Sequence, residues 1–162
     1  MSFSLDANIL LYASDGSNPL HARAATFLDG CMSSGDVWYL GWPTVMAYLR
    51  ISTHPSIFRH PLAPGEAMTN IETLLALPQV RFLSEGTDFW KRYRLLAAQT
   101  PLRGNLVPDA HLAAILLGHG VRRIYSRDKD FRKFPGLEVI DPLAETRSRP
   151  GAAPPELHPT GE

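Results

Sequence analysis

Apolar positions along this chain change period repeatedly, and the changes mark out its elements. Short runs of apolar and β-forming residues alternate with stretches whose apolar side chains recur every three or four residues, the spacing of one helix face. Phe3-Ser4-Leu5 is the first short run. It ends on Asp6, and a helical pattern starts at once and reaches about Ser14. Asp15-Gly16-Ser17-Asn18-Pro19 is a turn cluster. From Leu20 to about Met32 the spacing puts Leu20, Ala24, Phe27, Leu28 and Cys31 on one helix face. Ser33 to Asp36 breaks that helix, and Val37-Trp38-Tyr39-Leu40 predicts a second strand. Gly41-Trp42-Pro43 turns into a helix that carries Val45, Met46, Leu49 and Ile51, with the proline suited to its first turn. It stops before His54-Pro55.

The second half repeats the alternation. Pro61 and Pro64 frame a loop, a helix runs from about Pro64 to Leu77, and Pro78 closes it. Val80 to Leu83 predicts strand three. Ser84 to Asp88 opens a helix in which Phe89, Trp90, Tyr93, Leu96 and Ala97 are expected to pack inward. Pro101 to Asn105 is a loop. Leu106 to His119 is the most apolar helix, hence a central one, with Gly120 where a C-terminal cap is favoured. Val121 to Ser126 and Leu137 to Ile140 predict strands four and five, joined by a short turn or helix over Arg127 to Phe134. Strands alternating with helices indicate an α/β fold with a mostly parallel five-stranded sheet.

Length and composition narrow this only slightly. The 162 residues suit one domain with a sizeable core. From about Ala144 the character shifts to a proline-rich, polar tail that cannot bury enough apolar surface to fold. Residues 1–143 are therefore expected to form the domain, and 144–162 a disordered tail. Lys+Arg and Asp+Glu balance at 16 each, so net charge says nothing about partners. Distribution says more. No acid occurs between Asp36 and Glu66, and Arg122, Arg123, Arg127, Lys129, Arg132 and Lys133 crowd around Asp128 and Asp130. Acids set among bases fit a metal site facing a polyanion, with a solvated face as the plainer reading. A single cysteine, Cys31, excludes an intramolecular disulfide and a cysteine zinc cluster and fits a reducing cytosol. No signal-peptide pattern opens the chain, and no run approaches the ~20 apolar residues that span a bilayer. The expectation is a cytoplasmic protein.

Four acids sit where chemistry is done in α/β proteins. Asp6 ends strand one, Asp109 lies near the start of the apolar helix, and Asp128 and Asp130 follow strand four. Ligands of open α/β sheets bind beyond the carboxyl ends of the strands. Each acid alone reads equally well as a helix cap. If strands one and four are neighbours, however, Asp6 and Asp128 meet at one edge. Carboxylates gathered without partners are tolerated around a hard cation, and oxygen ligands suit Mg²⁺ or Mn²⁺.

These pieces carry a resemblance. Leu5-Asp6-Ala7-Asn8-Ile9-Leu10, Asn105 to Ala114 with Pro108-Asp109-Ala110 inside it, and Ser126-Arg127-Asp128-Lys129-Asp130-Phe131 resemble a PIN-domain ribonuclease, the VapC toxin of VapBC toxin–antitoxin pairs. Ala47-Tyr48-Leu49-Arg50-Ile51-Ser52-Thr53-His54-Pro55 resembles the actinobacterial branch of that family. The likeness covers about residues 3 to 141. It implies a PIN-like three-layer α/β/α fold and an Mg²⁺- or Mn²⁺-dependent endoribonuclease, with tRNA or rRNA as substrate. It also implies a homodimer neutralised by a VapB-like antitoxin. Asp6, Asp109 and Asp128 would match the acidic ligands, Asp130 a fourth acid, and Asn8 and Ser126 polar positions that orient the ligands. The chain departs from the family on the helix after strand two. Most members carry a glutamate there, and this chain has Ala47 (or Tyr48, if the alignment slips by one) with no acid nearby. The actinobacterial branch lacks that glutamate too. Glu66 or Glu72 could substitute from the next helix. Arg50, Arg127 and Lys129 are candidate RNA-phosphate contacts, and His111 is a packing or RNA-contact residue. The three tryptophans are read as core or dimer surface. Two rival readings remain: a non-catalytic PIN-fold RNA-binding protein, and an aspartate-based phosphoryl-transfer or signalling α/β protein.

Overall fold

The computed structural model describes residues 2–145. Most of the expected disordered tail, from residue 146 on, lies outside the described residues. The elements follow the alternation of the sequence: β1 (Phe3–Leu5), α1 (Ala7–Ser14), α2 (His21–Ser33), β2 (Trp38–Gly41), α3 (Trp42–Ser52) and α4 (Pro64–Leu75). Then come β3 (Val80–Leu83), α5 (Phe89–Gln99), α6 (Leu106–Gly118), β4 (Arg123–Tyr125), a 3₁₀ turn (Lys129–Lys133) and β5 (Glu138–Ile140). The strands form one sheet in the order β3-β2-β1-β4-β5, and every pairing is parallel. The order reverses between β1 and β4. That pair is the topological switch point, where the helices leaving the two strands diverge and open a crevice.

Alternation along the strands builds the layers. Phe3 and Leu5, Trp38 and Leu40, and Val80 and Phe82 point to one face, which α1, α2, α3 and α4 cover with Leu10, Cys31, Tyr48, Ile71 and Leu74 among others. Tyr39, Leu83, Ile124 and Val139 join the opposite cluster, with Leu96 of α5 and the unbroken buried run Leu112 to Leu116 of α6. The result is the three-layer α/β/α arrangement expected. The apolar helix is central because it is buried along that whole run. It ends as the sequence predicts, on Gly120 at φ +75°, a conformation that costs glycine nothing. At Gly41, between β2 and α3, a Cβ would lie 2.5 Å from Leu112 Cδ1, so a glycine lets α6 close onto the sheet.

Two expectations on α5 are corrected. Trp90 is 64% exposed, and Ala97 is exposed too. Phe89, Tyr93 and Leu96 form the inward stripe; Trp90 and Ala97 each sit one residue past it, rotated by ~100° toward solvent. Trp90 covers part of its ring by stacking on Tyr93, with centroids 5.5 Å apart. The strand ends also shorten: Val37 falls outside β2 and is 40% exposed. No helix among the described residues is long and apolar enough to cross a membrane.

Candidate metal centre

The crevice at the switch point is built on strand ends. The Asp6 N–H donates to Tyr125 O at 3.0 Å, extending the β1–β4 ladder by one step before the chain turns into α1. The same residue is the N-cap of α1, with extended backbone and its Oδ1 accepting from Ala7 N at 2.7 Å. Capping and the crevice position are thus compatible. The other carboxylate oxygen, Oδ2, accepts from Asn8 Nδ2 and from Ser126 Oγ, both at 2.6 Å.

Ser126 follows β4 and is buried. Its hydroxyl donates to Asp6 while its oxygen accepts from Asn8 Nδ2 at 3.1 Å and from Asp128 N at 2.9 Å. One serine therefore ties the loop after β1 to the loop after β4. Asp128 next caps the 3₁₀ turn, its Oδ1 accepting from Asp130 N at 2.8 Å. Asp109 arrives from the other side, in the first turn of α6.

Asp109, Asp128 and Asp130 each offer an oxygen, and these atoms lie within 4.8 Å of one another. Asp6 is not in that tight group, but its charge is felt there: it raises the Asp109 pKa, and Asp128 raises that of Asp6. Burial is the main cause in both cases. It pushes Asp6 up to about 6 against the hydrogen bonds from Ser126 and Ala7. It pushes Asp109 up to about 7, with the charges of Asp128, Asp6 and Asp130 adding to it and Lys133 opposing. A helix N-terminus would ordinarily favour an ionised Asp109; desolvation and crowding outweigh it. Such a group of oxygen donors, short of positive charge, fits a hard divalent cation. Asn8 Oδ1, buried beside these acids, adds an oxygen that has no hydrogen-bond partner among the described residues.

The remaining sequence candidates are spread more widely. Arg127 pairs with Asp141 at 3.2 Å, a partner legible only once β4 and β5 are known to be neighbours. Lys129 is exposed on the 3₁₀ turn, and Arg50 is exposed in the last turn of α3. Lys133, three residues after Asp130, holds its carboxylate at 2.7 Å, an ion pair that sequence reading did not single out. His111 turns away from the acids, to Glu85 Oε1 at 2.5 Å and onto the Phe89 ring. Tyr48 is buried, with its hydroxyl between Ser14 Oγ (2.8 Å) and Asn70 Nδ2 (2.9 Å), so it serves the seam of α1, α3 and α4. Ala47 is half-buried against the core on the same helix. Glu66 and Glu72 are exposed on α4, and neither joins the acidic group.

Comparison with known proteins agrees with this geometry. The PIN domain family profile matches residues 4–137. The chain is 42% identical over 144 residues to ribonuclease VapC48 of Mycobacterium tuberculosis, which spans 89% of this chain and 99% of that one. Among solved structures, Mycobacterium tuberculosis VapC20, a sarcin–ricin-loop-cleaving toxin, superposes with a TM-score of 0.61 at 15% identity over 84% of this chain and 98% of its own. VapBC2 of Rickettsia felis, bound to a DNA fragment from its promoter, gives 0.61 at 14% identity over 86% and 98%. At those identities the structures speak for the fold alone. With the family profile and the 42% identity to VapC48, they establish that the chain belongs to the PIN-domain family, among the VapC ribonucleases.

Proposed function

We propose that this chain is a metal-dependent endoribonuclease, the toxin of a toxin–antitoxin pair, with Asp6, Asp109, Asp128 and Asp130 at its metal site. The observation that carries the reading is the acidic group at the switch point in a chain so like a VapC ribonuclease over nearly its whole length. When bound, Mg²⁺ or Mn²⁺ supplies Lewis-acid chemistry, making water a nucleophile near neutral pH and neutralising charge on a phosphodiester. The protein's part is to hold the carboxylates. Asn8 and Ser126 fix the Asp6 oxygens, and the Ser126 link sets the Asp128 loop against them. Lys133 restrains Asp130. No histidine or serine nucleophile is required.

The substrate in this reading is structured RNA, tRNA or rRNA, cut in an unpaired loop where bases are accessible. That substrate puts the work in the cytoplasm. Two protein contacts belong to the same reading. An antitoxin is suggested by the two-component assembly of the Rickettsia felis neighbour. A second copy is suggested by apolar side chains left in solvent: Trp42 and Met46, one turn apart on α3, and Trp90 on α5.

The test is cleavage of total tRNA and rRNA by the purified chain with Mg²⁺, with Mn²⁺ and with EDTA, beside Asp6→Asn. The expected result is discrete fragments with either metal, lost with EDTA and with the variant. RNA that is bound but never cut, whatever the metal, would instead favour a non-catalytic PIN-fold binding protein, a reading that Ala47 keeps open.

A further inference from the structure

Four cations follow β4, at Arg127, Lys129, Arg132 and Lys133, and the structure divides them. Arg127 is neutralised by Asp141 and Lys133 by Asp130. Lys129 and Arg132 are exposed, and among the described residues neither joins an ion pair or a side-chain hydrogen bond. They are three residues apart on the 3₁₀ turn, where side chains at i and i+3 eclipse. The Asp130–Lys133 ion pair, also three apart, shows that register at work on the adjoining face. Lys129 and Arg132 line a narrow cleft together with Ser126, Arg127, Asp128, Val139 and Asp141. Asp128 thus belongs to both the cleft and the acidic group.

Of the two carboxylates in the cleft, Asp141 is taken by Arg127, and Asp128 caps the turn and faces the acidic group, so Lys129 and Arg132 keep charge that an anion would meet. A guanidinium and an ammonium are the two side chains that recognise phosphate, the first by a planar fork and the second as a point charge. We propose that Lys129 and Arg132 form a phosphate subsite that grips the RNA backbone beside Asp128, and so sets the register of the strand over Asp109 and Asp128. This rests on the nuclease reading and deepens it. Arg132 is then a positioning residue, while Arg127, in the same cleft, is distinguished by its ion pair with Asp141.

The experiment measures binding of a short single-stranded RNA to the full-length chain in EDTA, at several salt concentrations, for the parent, Lys129→Ala, Arg132→Ala and Arg132→Lys. Arg94→Ala, another exposed cation, controls for lost charge. Binding weaker by about tenfold is expected for each cleft alanine variant, with the salt slope reduced by about 0.7 per lost phosphate contact. Arg132→Lys should recover part of the loss. With Mg²⁺, KM should rise and cleavage should spread to neighbouring bonds as the strand slips out of register. A substrate with one neutral methylphosphonate beside the cut bond should bind the parent as weakly as plain RNA binds Arg132→Ala, and lose nothing more with that variant. Parent-like affinity and salt slope in both alanine variants would overturn the subsite and leave the nuclease intact. Loss of binding to an acidic peptide with RNA binding retained would also overturn it, assigning the cleft to a protein partner. If the parent never cuts RNA but its binding still depends on Arg132, the subsite stands and the nuclease reading falls.

Discussion

Ser126 concentrates more of the candidate site than any of the acids does. Its single hydroxyl donates to Asp6 and accepts from Asn8 and Asp128, joining loops that are 120 residues apart in sequence. Asp6 is pushed up to about 6 chiefly by burial, and the Ser126 hydrogen bond is the main force holding it down. Ser126→Ala should therefore do two things at once. It leaves a buried Asp6 oxygen and the Asp128 N–H short of a partner, at about 1–3 kcal/mol of stability. It also frees two carboxylates from their alignment, for which a 10- to 100-fold loss of metal affinity is the usual scale, roughly. Calorimetric titration with Mn²⁺ beside thermal unfolding measures both. Unchanged Mn²⁺ affinity would mean that the serine merely fills space.

At the scale of elements, α3 poses the sharpest question, because it carries Ala47 where most of the family has glutamate. Tyr48 is committed elsewhere, bonded to Ser14 at the end of α1 and to Asn70 of α4. Tyr48→Phe should cost about 1–2 kcal/mol, the worth of those hydrogen bonds, and leave Mn²⁺ affinity alone. Ala47→Glu, one residue away, should change Mn²⁺ affinity instead, since α3 packs against both α1 and α6, the helices that begin at the acids. Equal effects of the two substitutions on metal binding would remove the distinction. Elements were also where the sequence was most readable. The strand–helix alternation, the central α6 and the cap at Gly120 follow from period and glycine chemistry, which are local. Trp90 was misjudged because a helix on the sheet's rim buries only a narrow stripe, and tryptophan one position off it is exposed however apolar it is. The pairing of Arg127 with Asp141 was hidden for another reason: it depends on β5 lying beside β4, which no local pattern states. For the same reason the resemblance marks Ser126 as a position that orients the acids, whereas the bonds by which it ties the loops after β1 and β4 together are not stated by any local pattern.

The whole molecule bears the cost of this crowding, and pH exposes it. Asp6 and Asp109 have folded-state pKa values of about 6 and about 7, against an ordinary 3.8 for an aspartate. Between those limits the folded chain holds more protons than the unfolded one, so stability falls as pH rises. Below about pH 4 the two acids are protonated in both states and cost nothing; above about pH 7 the full cost is present. The Glu85 carboxylate is held below its usual range by its backbone and by His111 and works in the opposite sense, but it is exposed and screened. The metal-free chain should thus melt at a lower temperature at pH 8 than at pH 5.5. A divalent cation reverses the trend, because it binds the ionised carboxylates and competes with protons. At a hundred times its Kd it should stabilise by about 2.7 kcal/mol, and the gain should shrink as the pH is lowered. Asp109→Asn provides the internal control. It removes one crowded charge, so the metal-free variant should be more stable than the parent at pH 8, with a flatter pH dependence and little response to Mn²⁺. A parent that melts higher at pH 8 than at pH 5.5 without metal would mean that the acids are not desolvated as their burial implies. The same crowding that makes the empty site unstable is what gives a divalent ion its affinity for it, so stability and metal response should move in opposite directions across any series of substitutions in these acids.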